Sequence, residues 1–489
     1  MAQLLLRRTT NIMKQLYLTK STLTTNQSSF IPSFLGISHN VCSNSSVFSP
    51  TSFVFGRLES TKAAELKIDP QLYSSSEDDD DNDHDNAYPS EPEGMDFPGG
   101  KVMFTSQMSF IAEPGKTRVP CYRVLNDSGE LISGKDHDLV NQDLATRMYN
   151  SMITLQVMDT FLYEAQRQGR ISFYMTSFGE EAINVASAAA LSSEDIIFAQ
   201  YREPGALLWR GFTLQDFTNQ CFGNKADCGK GRQMPNHYGS SKHNYFTISS
   251  PIATQLPQAA GAAYSLKMDK KDACVVAYMG DGCTSEGDFH AGLNFAAVME
   301  VPIVFICRNN GYAISTPISD QFRSDGVVVK GQAYGIRSIR VDGNDALAVY
   351  EVVQTAREMA ISEQRPILVE ALTYRVGHHS TSDDSTKYRS TDEIEHWKIE
   401  KSPVTKFRRW IERNGWWNED DESEIRKKVK KEILQAIQVA EKLEKPPVSE
   451  MFTDVYDEPT KDLVEQEILL RESIKKHPKD YPSDVAECI

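Results

Sequence analysis

The stretch Gly280 to Tyr312 reads GDGCTSEGDFHAGLNFAAVMEVPIVFICRNNGY and carries most of the information about the fold. The apolar run from Ala273 to Met279 comes directly before it and predicts a buried strand. The run from Val301 to Cys307 predicts a second buried strand, and the interval between the two runs has the character of a helix. Strand, helix and strand in this order predict two parallel strands of an α/β sheet.

Oxygen-bearing side chains follow both predicted strands. Asp281 comes after the first strand, and Asn309 and Asn310 come after the second. Open α/β sheets bind ligands at the edge where the carboxyl ends of parallel strands meet, so we expect these side chains to lie side by side. Carboxylate and carboxamide oxygens suit Mg²⁺, which often holds phosphates as well. A Gly-Asp-Gly sequence alone usually marks a turn, but with the paired strands it predicts a magnesium-held diphosphate.

The composition limits the classes of protein to consider. The chain has 489 residues, which fits two or three average domains or one large α/β domain. Its net charge of −16 argues against nucleic acid as a partner. No apolar run approaches the roughly 18 residues of a membrane span. The composition therefore allows an α/β protein of one or more domains, and it predicts no membrane span.

The cysteines do not suggest disulfides or zinc. The eight positions are Cys42, Cys121, Cys221, Cys228, Cys274, Cys283, Cys307 and Cys488. They form no CxxC pair, and the interval between the third and fourth is too long for a usual zinc knuckle. Several fall in or beside predicted buried strands, where a thiol behaves as a small hydrophobic group. This usage is typical of a reducing compartment.

The first 58 residues differ from the rest. They contain basic residues and many Ser and Thr, with no Asp or Glu before Glu59. Acid-poor leaders of this kind are typical of organelle transit peptides. A disordered N-terminal tail without a targeting signal would have a similar composition. The acidic run Ser74 to Asn86 predicts a disordered segment. We predict a transit peptide at 1–58, an acidic linker at 59–94, an α/β domain at 95–395 and a helical extension at 396–489 packed on that domain.

Helices are predicted on either side of the central motif. Asp143 to Gln168 carries apolar residues near helical spacing, which indicates a core helix. Ser177 and Glu180 predict a capping box before a helix at Ala182 to Leu191. Near the C-terminus, an apolar stripe on a Lys- and Glu-rich helix predicts ordinary packing or a subunit contact. The stripe comprises Ile425, Val429, Ile433, Ile437 and Ala440.

Loop residues supply further candidates. Arg202 and Arg308 each fall at a predicted strand end, where a guanidinium can bind phosphate through two hydrogen bonds. A single arginine would more often form a surface ion pair, but two around one motif favour phosphate binding. His378 and His379 lie in a loop rich in Ser and Asp, which suggests proton chemistry near neutral pH. A lone loop histidine is more often structural.

Several long strings carry a resemblance to a known family. They are GKGRQMPNHYG (229–239), SSPIATQLPQAAGAAY (249–264), RNNGYAIST (308–316), YRVGHHSTSDDS (374–385) and FTDVYDEP (452–459). From about Phe97 to Pro482 the chain resembles the alpha subunits of mitochondrial branched-chain 2-oxo acid dehydrogenases. The resemblance implies their thiamine diphosphate-binding α/β fold, with a doubly wound, mostly parallel sheet and helices on both faces. Pyruvate dehydrogenase alpha subunits share the GDG–NN core. They have Gly-Gly-Ser-Met-His where this chain has Gly231 to Pro235, and they lack the Gly377-His378-His379 arrangement, so the branched-chain family is favoured.

The resemblance implies ligand contacts. It assigns Mg²⁺ to Asp281, Asn310 and the backbone carbonyl of Tyr312. It assigns thiamine diphosphate to Gln200, Tyr201, Arg202, Ser250, Ile252, Gly280, Gly282, Arg308 and His379. It assigns a structural K⁺ to Ser249, Pro251, Thr254 and Gln255. Without the resemblance, those last four residues would be interpreted as a capped helix start.

The resemblance also implies a reaction and partners. We expect oxidative decarboxylation of branched-chain 2-oxo acids in the mitochondrial matrix, with acyl transfer to the lipoyl group of a transacylase core. His379 is expected to donate a proton. A beta subunit is expected to supply an activating glutamate within an α₂β₂ heterotetramer. Ser380 and Ser390 are expected targets of a regulatory kinase and phosphatase. A pyruvate or acetoin dehydrogenase subunit and a catalytically silent regulatory subunit are the alternatives.

Overall fold

The computed structural model describes residues 94–97, 100–106, 108, 118–132 and 139–485. The predicted transit peptide, nearly all of the predicted acidic linker, Cys42 and Cys488 lie outside these residues. The chain divides into two compact units, Met1–Thr105 and Ser106–Ile489. In the first unit, β1 (Gly94–Phe97) and β2 (Gly100–Met103) pair as antiparallel strands.

A five-stranded parallel sheet forms the centre of the second unit. Its strands are β3 (Ile196–Phe198), β4 (Val275–Gly280), β5 (Ile303–Asn309), β8 (Arg337–Asp342) and β9 (Ile367–Leu372). They lie in the order β3-β4-β5-β9-β8, and every neighbouring pair is parallel. The predicted pair is therefore confirmed as β4 and β5, with Gly280 opposite Arg308. A short antiparallel pair, β6 (Tyr312–Ala313) and β7 (Thr316–Pro317), follows β5.

Both faces of the sheet are covered. Successive side chains of a strand point to opposite faces, and in β4 the residues Val276 and Tyr278 join one hydrophobic cluster while Val275 and Ala277 join another. A parallel sheet buried on both faces needs apolar residues at nearly every strand position, which explains the continuous apolar runs. The predicted doubly wound α/β fold is confirmed.

The helices divide between the two clusters. The cluster that contains Val276 includes residues of α1 (Gln142–Arg167), α2 (Glu181–Ala189), α3 (Pro204–Trp209), α4 (Leu214–Phe222), α8 (Ala346–Glu363), α10 (Pro403–Arg413) and α11 (Glu419–Lys442). The other includes residues of α5 (Gln255–Met268) and α6 (Gly287–Met299). The described residues form three further α-helices, α7 (Ile318–Gln321), α9 (Thr391–Ile399) and α12 (Lys461–Lys476). Within the described residues, every helix is too short or too polar to cross a membrane.

The predicted helix after Ser177 is present, but the predicted capping box is wrong. No side chain caps the start of α2. The Ser177 hydroxyl instead donates to Asp159 Oδ2 at 2.7 Å. Glu180 turns its carboxylate toward the buried guanidinium of Arg308, 3.0 Å away. A buried arginine needs a counter-charge, and this requirement outweighs a cap contact worth about 1 kcal/mol.

The predicted apolar stripe near the C-terminus belongs to the core. Val429, Ile433, Ile437 and Ala440 of α11 are buried, and Ile425 packs against the same cluster. Packing within this chain therefore accounts for the stripe. The domain boundaries at 58, 94 and 395 stay predictions.

The described cysteines agree with the interpretation of the sequence. Four of them are buried free thiols, namely Cys221, Cys274, Cys283 and Cys307. Cys121 and Cys228 are exposed free thiols. Burial raises the pKa of each buried thiol, so these groups pack as small hydrophobic side chains.

Candidate active site

A cavity of about 580 Å³ opens at the carboxyl ends of β4 and β5. All twelve residues predicted to contact the cofactor or Mg²⁺ line it. They are Gln200, Tyr201, Arg202, Ser250, Ile252, Gly280, Asp281, Gly282, Arg308, Asn310, Tyr312 and His379. The fold therefore brings together residues from five separate stretches of the sequence. The four residues predicted to hold K⁺ lie outside this lining.

The Gly-Asp-Gly turn, residues 280–282, lines the cavity. The backbone N–H of Gly280 donates to Gln200 Oε1 at 2.8 Å. Asp281 then begins a 3-10 turn, Asp281–Ser285. A Cβ atom on Gly282 would lie 2.9 Å from the Cβ of Ala313, which is closer than real Cβ contacts. Glycine at 282 is therefore required for the turn to pack against the chain that follows β5.

Asp281, Asn310 and Tyr312 line the cavity and carry three kinds of oxygen, in a carboxylate, a carboxamide and a backbone carbonyl. Asp281 is 1% exposed, and Gln321 Nε2 donates to its Oδ2 at 2.7 Å. Burial raises the pKa of Asp281, so a cation nearby would stabilise its ionised form. The Oε1 atom of Gln321 is buried without a hydrogen-bond partner. These oxygens fit a hard divalent cation.

The candidate metal site depends on few charged ligands. Among the described residues, no group of three or more His, Cys, Asp or Glu is arranged to hold a metal ion. One carboxylate, one carboxamide and one backbone carbonyl leave room in a six-oxygen shell for phosphate oxygens and water. Such a site is suited to Mg²⁺ that arrives with a diphosphate.

Arg308 is held between two buried glutamates. Its Nε lies 2.8 Å from Glu203 Oε1 and 3.0 Å from Glu180 Oε2. Burial alone would lower the pKa of Arg308, but the two carboxylates outweigh it and raise the pKa. Because Nε faces the glutamates, any phosphate contact must use the Nη atoms. Glu203 also accepts the backbone N–H of Gln200 at 2.8 Å, so it orders a second wall of the cavity.

Arg202 fixes the tautomer of His379. Its Nη1 donates to Thr176 O at 2.9 Å, and its Nη2 lies 3.0 Å from His379 Nδ1 and 2.7 Å from His379 O. A guanidinium only donates, so Nδ1 accepts and the neutral ring carries its proton on Nε2. Burial lowers the pKa of His379 to about 3, and repulsion from Arg202 and Arg375 adds to this effect. At neutral pH His379 is therefore an uncharged Nε2–H donor.

Hydrogen bonds within the loop 376–390 hold His379 in place. Asp383 Oδ2 accepts from the backbone N–H of His379 at 2.7 Å and from the Tyr388 hydroxyl at 2.6 Å. His378, the other predicted histidine, does not line the cavity. Its Nδ1 lies 2.9 Å from Ser385 Oγ, so its role in this loop is structural.

The predicted potassium residues alternate with cavity residues. Ser250 and Ile252 line the cavity, whereas Ser249, Pro251 and Thr254 do not. Thr254 Oγ1 donates to Pro251 O at 2.9 Å and makes no capping hydrogen bond to α5. The alternative of a side-chain-capped helix start is therefore wrong. The Gln255 amide donates to Tyr278 O at 2.8 Å, so its Oε1 is the atom that a cation would contact.

The Dehydrogenase E1 component family matches residues 149–449, which is more than half of the chain. The chain belongs to this family. An Arabidopsis thaliana protein named 2-oxoisovalerate dehydrogenase subunit alpha 1, mitochondrial, is 70% identical over 79% of this chain and 82% of its own length. Proteins named 2-oxoisovalerate dehydrogenase subunit alpha, mitochondrial, are 50% identical in Caenorhabditis elegans and 47% identical in Homo sapiens. They cover 78% and 79% of this chain, and 89% and 87% of their own lengths.

The family membership confirms the resemblance predicted from the sequence, and the relatives' names agree with the predicted mitochondrial location. Within this E1 component, sequence reasoning missed several cavity residues. Gln321 and His237 line the cavity, and Glu203 pairs with Arg308 behind it, as does Glu180, which the sequence had suggested only as part of a helix cap. His237 Nδ1 donates to Pro235 O at 3.0 Å, so its Nε2 accepts from the Ser250 hydroxyl at 2.7 Å. One sequence feature could have identified Glu203: it directly follows Gln200-Tyr201-Arg202. Buried arginines need acidic side chains nearby.

The low pKa of His379 predicts a pH dependence of stability. An unfolded histidine binds a proton below pH 6.5, but folded His379 does not until about pH 3. The unfolded state thus binds more protons within this window, and stability falls as the pH falls through it. Between pH 7 and pH 5, His379 should cost about 2 kcal/mol of unfolding free energy. His379→Asn keeps a neutral acceptor and should lose less stability over this range, which urea unfolding at the two pH values measures. Equal losses in the two proteins would contradict the assignment.

Proposed function

We propose that this E1 component chain is the alpha subunit of a branched-chain 2-oxo acid decarboxylase that binds thiamine diphosphate and Mg²⁺. One observation carries the proposal: the twelve residues predicted for the cofactor and metal converge on a single cavity at the carboxyl edge of the parallel sheet. The relatives named 2-oxoisovalerate dehydrogenase subunit alpha support the branched-chain substrate class. The predicted site of action is the mitochondrial matrix.

Each cavity group has a defined part in the proposed reaction. Asp281, Asn310 and the Tyr312 carbonyl would hold Mg²⁺, and the Nη atoms of Arg202 and Arg308 would bind phosphate oxygens. When bound, thiamine diphosphate supplies the nucleophilic carbon and the electron sink for loss of CO₂ from a 2-oxo acid. The neutral His379 Nε2–H would donate a hydrogen bond or proton to the substrate oxygen or to the lipoyl group that accepts the acyl product.

Partners complete the proposed site. Among the described residues, the acidic side chains that line the cavity are Asp281 and Glu286. Asp281 is assigned to the metal, and the family resemblance implies that the carboxylate that activates the cofactor comes from a beta subunit, so we propose an α₂β₂ heterotetramer. A lipoyl-bearing transacylase core is the proposed acyl acceptor. A structural K⁺ is proposed at Ser249, Pro251, Thr254 and Gln255, behind the part of the wall formed by Ser250 and Ile252.

The proposed function is tested by co-expression with the cognate beta chain and an assay of CO₂ release. The substrates should form a series from pyruvate to 3-methyl-2-oxobutanoate and 4-methyl-2-oxopentanoate. The account predicts the highest kcat/KM for the branched acids. Preference for pyruvate would assign the chain to a pyruvate dehydrogenase. A folded complex that binds the cofactor but releases no CO₂ would indicate the silent regulatory subunit.

Phosphorylation of the loop 376–390 is proposed as a means of regulation. Ser380 is 9% exposed, and its carbonyl oxygen accepts the backbone N–H of Asp383 at 3.1 Å. A phosphate there adds roughly −1.5 to −2 charges beside Asp383, which holds His379. Ser390 is exposed and caps α9 by accepting from the Glu393 N–H at 3.1 Å. A phosphate on Ser390 therefore disturbs His379 less. A regulatory kinase and phosphatase are the proposed partners.

Replacement of Ser380 by glutamate should reduce overall activity about 100-fold, because it displaces His379 and the imidazole is then no longer correctly oriented toward the substrate. The assay uses the complete complex with a lipoyl substrate. Ser382→Glu is the matched control, since Ser382 is exposed in the same loop and gains the same charge. Ser390→Glu should have a smaller effect than Ser380→Glu. Full activity of Ser380→Glu would exclude Ser380 as the site of the switch.

A further inference from the structure

Glu180 contacts two groups of the candidate site at once. Its side chain is fully buried. Glu180 Oε1 accepts from Asn310 Nδ2 at 2.8 Å, and Oε2 lies 3.0 Å from Arg308 Nε. The Oε2 atom has no hydrogen bond of its own, so its interaction with Arg308 is that of an ion pair. One carboxylate thus connects a proposed metal ligand with a proposed phosphate contact.

The contact with Asn310 fixes which end of its amide faces Glu180. An ionised carboxylate only accepts hydrogen bonds, so it must face the Nδ2 end. The Oδ1 end is then directed away from Glu180, and it accepts the Tyr312 backbone N–H at 3.3 Å. Only Oδ1 can coordinate a cation, because the amide nitrogen has no available lone pair. Carboxylates behind metal-bound histidines act similarly, orienting the ligand and raising its basicity.

The charges around Arg308 favour a cation as well. Arg308 lies between Glu180 and Glu203, so these three buried side chains together carry one negative charge when both carboxylates are ionised, and the buried Arg375 offsets part of it. The part of a buried charge that stays uncompensated is costly. A divalent cation held by Asn310 would offset it. Glu180 would therefore strengthen metal binding through orientation and through charge.

We infer that Glu180 is a positioning residue for the metal site, which orients the Asn310 carboxamide and the Arg308 guanidinium toward Mg²⁺ and diphosphate. This inference rests on the proposed function, in which Asn310 and Arg308 hold the metal-bound cofactor.

The contacts of Glu180 predict that the variant Glu180→Gln disturbs either Arg308 or Asn310. If the new amide presents oxygen to Asn310, its nitrogen faces Arg308 Nε, and two donors oppose each other. If it presents nitrogen to Asn310, the Asn310 amide must turn its oxygen away from the metal.

A paired exchange separates positioning from a general structural role. Glu180→Gln combined with Asn310→Asp reverses the hydrogen bond, because the new glutamine N–H donates to the new aspartate. Net charge and side-chain size are preserved, and either aspartate oxygen can coordinate a cation. Glu181→Gln is the matched control. Glu181 is also buried, but its carboxylate accepts from Gln156 Nε2 at 2.9 Å and from the Gly179 N–H at 3.0 Å.

The experiment measures the affinity of the cofactor-free complex with the beta chain for thiamine diphosphate, by calorimetry at a series of Mg²⁺ concentrations. Glu180→Gln should weaken the apparent Mg²⁺ affinity about 10- to 100-fold. The paired exchange should recover most of this loss, and Glu181→Gln should bind like the unaltered chain. Melting of each cofactor-free protein reports whether it folds.

Each result has a distinct meaning. Absence of binding by the unaltered complex would refute the proposed function itself. Binding by Glu180→Gln equal to that of the unaltered complex, or a loss matched by Glu181→Gln, would overturn the inference alone. If Glu180→Gln does not fold, the paired exchange decides, and a folded exchange variant without binding overturns the inference. If neither variant folds, Glu180 is a folding residue and the inference fails.

Discussion

Asp281→Ala is expected to abolish binding of thiamine diphosphate with Mg²⁺. Asp281 supplies the charged oxygen of the proposed metal site and is 1% exposed, so water cannot easily replace it. Without this carboxylate, the cation loses its anionic protein ligand, and the charge of the diphosphate is poorly compensated. We expect at least about a 1000-fold loss of affinity, or about 4 kcal/mol. Calorimetry with Mg²⁺ and cofactor on the complex with the beta chain measures it.

Two further variants make the result for Asp281 specific. Asp281→Asn keeps one oxygen and removes the charge, so its affinity should fall between those of the unaltered chain and Asp281→Ala. Glu286→Gln removes the charge of the other acidic side chain that lines the cavity and should change metal affinity little. Near-native affinity of Asp281→Ala would refute the metal assignment.

The isolated alpha chain is expected to release no CO₂ from 3-methyl-2-oxobutanoate above the background rate. General acid–base assistance of the kind supplied by a positioned carboxylate contributes about 100- to 10,000-fold to a rate. The activating carboxylate is proposed to belong to the beta subunit, so adding the beta chain should restore the activity. The measurement is CO₂ release by highly purified alpha chain before and after reconstitution.

The cavity offers one alternative source of the activating carboxylate within this chain. Glu286 is exposed and lines the cavity, so it is the candidate within this chain for activating the cofactor. Decarboxylation by the isolated alpha chain would show that the proposed division of labour is wrong. Loss of that activity in Glu286→Gln would then identify Glu286 as the activating group.

The central strands were predictable because their patterns are local. Continuous apolar runs marked β4 and β5, and Asp281 and Asn310 followed at the expected edge of the sheet. The predicted ends differ from the observed ones by one or two residues. β5 continues through the polar Arg308 and Asn309, because both still pair with β9 opposite Ala371 and Leu372. The hydropathy of a run of residues predicts which residues are buried. It does not predict how far the hydrogen bonds between neighbouring strands continue.

The network behind the site was not predictable in the same way. Ser177 and Glu180 have the local spacing of a capping box, but the partners that decide their roles are Asp159 and Arg308. Arg308 lies 128 residues beyond Glu180, so no window of sequence contains both. The low pKa of His379 likewise depends on burial in the folded chain and on Arg202, 177 residues away. Motifs identified the residues that face the cavity, whereas the buried charges behind them required the fold.

The most direct test of the central claim is the position of the metal. Crystals of the complex with the beta chain, grown with thiamine diphosphate and Mn²⁺ in place of Mg²⁺, would be measured for anomalous scattering. The account predicts a peak about 2.0 to 2.3 Å from Asp281 Oδ, Asn310 Oδ1 and Tyr312 O, with diphosphate oxygens completing the shell. A peak away from these three oxygens, or diphosphate bound without them, would contradict it.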